Sequence, residues 1–109
     1  MKIPTNLKVE ARIVRKLLRE LKKGGYIAVE VFDGGDYVKV ATENDVLDAV
    51  FSVCDATIHF KLKDTNDSRS RGVFVVLGNG IDCLSDWHVG DKNFDAIVTR
   101  LCETTEQYA

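Results

Sequence analysis

The stretch YIAVEVFDGGDYVKVATENDVLDAVF, residues 26–51, decides the fold class. YIAVEVF alternates in the manner of a strand, with Ile27, Val29 and Val31 assigned to one face and Tyr26, Ala28, Glu30 and Phe32 to the other. DGGD, residues 33–36, offers glycines able to take positive φ in a tight hairpin turn. YVKVA then returns as a second strand with Val38 and Val40 on one face. In TEND, residues 42–45, a threonine stands three positions before an acid, close to a capping box. The helix it opens carries Val46, Leu47, Val50 and Phe51 at helical spacing. A hairpin followed directly by a helix points to an antiparallel sheet with helices on one face.

The flanks extend this plan. Residues 7–23 read as a helix capped by Thr5 or Asn6 and ended at Gly24 and Gly25. At ~100° per residue, Leu7, Val14, Leu17, Leu18 and Leu21 share a stripe about 100° wide. Lys8, Arg12, Arg15, Lys16, Arg19, Lys22 and Lys23 share an opposing stripe about 120° wide. TIHFKLK, residues 57–63, is a third strand with Ile58, Phe60 and Leu62 on one side. DTNDSRSR, residues 64–71, is a polar turn or mobile loop. GVFVVLG, residues 72–78, is the most apolar strand and is expected to lie centrally. A short edge strand is expected around residues 81–84, and Asp91 can cap a last helix that buries Phe94, Ile97, Val98 and Leu101. The expected fold is α+β, in the order α-β-β-α-β-β-α, with a mainly antiparallel sheet of four to five strands. The inward set should include Leu17, Leu18, Leu21, Val50, Ile58, Phe60, Val75, Ile97 and Leu101.

The chain has 109 residues, the length of one domain, and 45% hydrophobic with 29% charged residues excludes a disordered or membrane-spanning class. No apolar run approaches the ~20 residues of a spanning helix, and the N-terminus has no apolar signal region. Three cysteines, an odd number, suit reduced thiols in a cytoplasm. The net charge of −2 hides a division. Residues 1–25 hold eight basic and two acidic groups, net +6; residues 26–109 hold seven and fifteen, net −8. A basic amphipathic helix is thus joined to an acidic α+β body.

Chemistry is harder to read. CDATIH (residues 54–59) and CLSDWH (83–88) are two C-x4-H pairs containing both histidines. Zinc ligands need to converge on one tetrahedral point, usually from shorter knuckles. Cys54 is expected as a buried thiol on the inward stripe of the second helix or just past its end, and His59 on a strand face beside lysines, so no metal is expected. Cys83 with His88 could form a nucleophile and base, which would require a lowered thiol pKa. LGNG, residues 77–80, resembles the opening of a phosphate loop, but Cys83 stands where a third glycine would fall, so a tight turn is the expectation. The acid clusters Asp33/Asp36, Glu43/Asp45/Asp48, Asp64/Asp67 and Asp82/Asp86 sit in turns, caps and polar faces. No catalytic residue and no cofactor is assigned.

The opening GY (residues 25–26), the DGG after the first strand, the Thr/Asp pair, the GN at 78–79 and SDW at 85–87 resemble a group of small uncharacterised bacterial and phage proteins. The likeness spans about residues 24–101 and lacks the acidic or proline-rich run that the group carries after GN. It implies an α+β domain and a phage or prophage context, with no activity attached.

The candidate interaction residues are Arg12, Arg15, Lys16, Arg19, Lys22, Lys23 and Trp87, with Phe32 and Tyr108 as further exposed aromatics. The first reading is a non-enzymatic binding module that contacts a protein partner or a second copy. The alternative is nucleic-acid binding through the basic helix, which a pI of about 5.6 and the lack of interleaved aromatics disfavour. An enzyme using Cys83 and His88 is the third. A membrane role is not expected, because the helix has no Trp or Phe on its apolar side.

Overall fold

Asp33 closes the hairpin between β1 (Tyr26–Phe32) and β2 (Tyr37–Lys39). Its Oδ1 accepts from the Gly35 and Asp36 amides at 3.0 and 2.8 Å, and Gly34 takes φ +100°. A positive φ at the first central residue lets the turn follow the strand twist. The structure is a computed structural model and describes residues 3–64 and 71–108. α1 (Lys8–Lys23) precedes the hairpin; α2 (Glu43–Val50), β3 (Asp55–Leu62), β4 (Arg71–Val76), β5 (Leu84–Trp87) and α3 (Lys92–Glu103) follow it. The five strands form one antiparallel sheet in the order β2-β1-β3-β4-β5. The polar turn expected at residues 64–71 lies mostly outside the described residues.

The helices cover one face of this sheet, and the core lies between the layers. Val31, Ile58, Phe60, Val73 and Val75 are buried against Leu17, Leu21, Val50, Phe94, Val98 and Leu101. Every residue of the expected inward set joins this cluster, although Leu18 and Ile97 are only half buried. The α+β class and the strand directions follow the sequence reading.

Four local expectations are corrected. The face assignment of β1 holds over only part of the strand, because a bulge shifts the register between Ala28 and Glu30. Tyr26 is therefore buried, opposite Leu62, and Val31 is buried opposite Ile58, although they differ in parity. Second, β2 ends at Lys39 instead of running to Ala41. The Asp45 Oδ2 takes the Ala41 and Thr42 amides at 2.9 and 3.1 Å, while Thr42 Oγ1 accepts from the Asp45 amide at 3.1 Å. This is the predicted capping box, and it lifts the chain off the β1 edge one residue after Val40, whose amide still donates to Val29 at 3.1 Å. Third, neither Thr5 nor Asn6 caps α1: a 3-10 turn at Thr5–Leu7 feeds the helix, and Leu7 stands at its cap without a side-chain bond. Fourth, the last strand begins at Leu84, and residues 80–82 form a 3-10 turn. β4 is interior as expected, with β3 in the middle of the sheet.

α3 begins as read, with Asp91 Oδ1 accepting from the Asn93 and Phe94 amides at 3.1 Å each. Replacing the other helix cap, Thr42→Ala, is expected to cost about 1 kcal/mol. The measurement is a shift of the urea midpoint with an unchanged slope.

Candidate interaction surface

The cations of α1 divide into two sets. Glu43, at the start of α2, receives Arg19 through two bonds, Nε to Oε2 at 3.3 Å and Nη2 to Oε1 at 3.2 Å. Arg15 Nε adds a looser approach to the same carboxylate at 3.8 Å. Glu20 lies between Lys16 at 3.7 Å and Lys23 at 3.0 Å on its own helix. The hydrogen bond from Lys23 is the main cause of a lowered Glu20 pKa, against some desolvation. Lys8, Arg12 and Lys22 make no ion pair among the described residues, and all three are exposed. The uniform basic stripe is thus reduced to three free charges spread over ~20 Å of helix.

Lys22 stands at the mouth of a groove of about 510 Å³ between α1, the first half of β1 and the start of α2. Its walls are Leu18, Ile27, Ala28 and Val46, with Arg19, Lys22 and Glu43 at the rim. The groove exists because β2 is three residues long and β1 is seven, so the first half of β1 has no neighbour on that side. A second groove of about 450 Å³ lies between α1 and α3, lined by Lys16, Glu20, Lys23 and Arg100 among others. Trp87, a candidate anchor, closes over the last helix instead: it is half buried, with Nε1 donating to Asp95 Oδ1 at 2.8 Å on α3. Tyr108 is likewise packed on the core, and Phe32 lies on Tyr37 with ring centroids 4.7 Å apart. Among the described residues, the large apolar side chains that reach solvent are Tyr37, Val38 and Val89.

The nucleophile and metal candidates take different places. Cys54 lies just past the end of α2, one of its two expected places, but it is exposed where burial was expected. Cys83 is the buried thiol, and burial first, then the nearby Glu10 carboxylate, pushes its pKa up to about 12. Such a thiol is the opposite of an activated nucleophile. His59 projects from β3 between Glu30 and Gly72, and His88 is exposed beyond β5. Among the described residues no three His, Cys, Asp or Glu side chains gather as a metal set.

The LGNG segment is the turn that was expected, with an addition absent from the sequence reading. Gly78 and Gly80 take φ +95° and +60°, and their amides donate to Glu10 Oε2 at 3.0 and 3.3 Å. The loop holds an oxyanion, but the oxyanion is a carboxylate of α1. Glu10 is 2% exposed. Its position in the middle of the buried arc of α1 was a visible signal, since an acid there needs a partner. Another cluster ties the sheet to α3. Asp91 Oδ2 accepts from Tyr26 Oη at 2.7 Å and Arg71 Nε at 2.8 Å, and the Arg71 guanidinium lies 5.5 Å from the Tyr26 ring centre. Burial raises the Tyr26 pKa, with help from Asp91. Burial opposes the Asp91 charge as well, but bonds from Arg71, Tyr26 and the Phe94 amide outweigh it and hold the carboxyl at about 2.

This is a small α+β domain with a cationic helix edge and an adjoining groove. No family model, curated protein or solved structure matches the chain. No helix of the described residues is long and apolar enough to cross a membrane.

Two outcomes follow from the clusters. Because the Asp91 pKa is depressed in the fold, its stabilisation is present above pH ~4 and fades as pH falls toward 2. About 1–2 kcal/mol of stability should be lost over that interval, and Asp91→Asn should flatten this part of the pH curve while keeping a helix cap. Glu10→Ala should destabilise by about 2–3 kcal/mol, since two loop amides lose a charged acceptor, and Glu10→Gln by less. Chemical denaturation of the three proteins ranks them directly.

Proposed function

We propose that the protein is a non-enzymatic binding module whose contact surface is the free edge of α1 together with the groove it borders, and whose partner is an acidic protein surface. The observation that carries this reading is the continuity of the two features. Lys22, one of the three α1 cations without an internal acid among the described residues, forms the rim of a groove whose walls are apolar. Apolar walls with a charged rim suit a protein contact. Three free thiols fit a reducing compartment such as the cytoplasm.

Nucleic-acid binding is the second reading, and magnitudes separate the two. Four of the seven helix cations are held by Glu20 and Glu43, which leaves three for phosphates. Three contacts give a log–log salt slope no steeper than about −3 on duplex DNA. Fluorescence anisotropy with a short duplex across a salt series is the test. The proposal expects generic affinity of ~10⁻⁴–10⁻⁶ M and that shallow slope. Tighter binding with a steeper slope, abolished by Lys8→Glu with Arg12→Glu, would move the function to nucleic acid. Lys8 and Arg12 are the right residues to reverse, because reversing Arg15 or Arg19 would also break the link to α2.

A further inference from the structure

The groove beside β1 has the shape of a missing piece of strand. Lys63 N donates to the Gly25 carbonyl at 2.9 Å, and Ile27 stands opposite Lys61 in the same register. The alternation of an antiparallel ladder then makes Gly25/Lys63 and Ile27/Lys61 the bonded pairs. The Tyr26 carbonyl and the Ala28 N–H must therefore point away from β3, into the groove. β2 would have met them there, but the capping box has already drawn residues 41–42 toward Asp45. Tyr26 is only 2% exposed, whereas Ala28 is half buried, so Ala28 is the accessible part of this edge. Backbone groups without a protein partner at the floor of an apolar groove are matched by water or by another backbone.

We propose that this groove takes a short extended segment of an acidic partner protein, which pairs with β1 beside Ala28 and completes the strand that β2 leaves unfinished. The proposal rests on the protein-contact reading above and specifies its mode, strand addition to an open edge. Two observations select the occupant. The unpaired backbone groups demand an extended chain, and the rim demands acid: Arg19 and Lys22 line the groove against one carboxylate, Glu43, which Arg15 and Arg19 already share. Guest residues two positions apart share the face that the helices cover, so one apolar side chain would lie against Leu18 and Val46 and an acidic one, two positions on, would reach toward Lys22.

The probe is a pool of acetyl-X-Thr-Asp-Thr-X amides, with X drawn from Val and Ile, titrated into ¹⁵N-labelled protein. The expected result is amide shifts at Ile27, Ala28, Ala41 and Thr42, saturating at ~0.1–1 mM and weakening with salt. A pool with Lys for Asp should bind at least about tenfold more weakly, and N-methylation of alternate amides should abolish binding. Ala28→Pro, which removes the groove-facing N–H while Ile27 keeps the bonds to β3, should lose the interaction. Lys22→Glu, on an exposed side chain, serves the same purpose if the proline variant does not fold. Absence of shifts at several millimolar, equal binding of the Lys pool, or undiminished binding of the N-methylated peptides would each overturn strand addition. Those results would leave the wider protein-contact reading intact, because that reading fails only if DNA binds tightly through Lys8 and Arg12.

Discussion

One carboxylate, that of Asp45, ends a strand and starts a helix. It accepts the Ala41 and Thr42 amides while its own amide returns to Thr42 Oγ1, so the chain turns off the sheet directly after Val40. Much of the surface follows from that turn. β2 stays short, α2 begins under α1, and Glu43 in its first turn meets Arg15 and Arg19. The bonds from Ala41 and Thr42, in that order, hold the Asp45 carboxyl below its usual pKa. The groove is the space that a longer second strand would have filled.

α1 is held at both ends of its length by charge as well as by its apolar stripe. Near its start Glu10 fills the loop at residues 78–80, and near its end Arg19 reaches Glu43. A buried carboxylate is costly unless its lone pairs are used, and two amides in a left-handed turn use them here. The same carboxylate adds to the burial that keeps Cys83 a neutral thiol. One interaction thus anchors the helix, satisfies the loop and silences the buried cysteine.

Local signals were legible in the sequence and distant ones were not. The DGGD turn, the Thr42/Asp45 box and the Asp91 cap each depend on residues within four positions, and each formed as read. Period-2 patterning could not expose the bulge in β1, because YIAVEVF has apolar residues at both parities and fits either face. The ion pairs to Glu43 join residues 24 or more positions apart, so a seven-cation stripe looked freer than it is. Glu10 finds its acceptor role 68 positions away, although an acid at the centre of an apolar arc marked it in advance. Cys54 left its expected buried place for a simpler reason: α2 ends at Val50, one turn before this thiol.

The groove and its proposed occupant depend most on the first half of β1 being an open edge. Amide hydrogen exchange of the free protein, residue by residue, tests this directly. Ile27, bonded to β3, should be strongly protected, and Ala28, one position later in the same strand, should exchange much faster. Equal protection at the two amides would mean that Ala28 already has a partner within the fold, and it would contradict the open groove on which the proposed mode of binding stands.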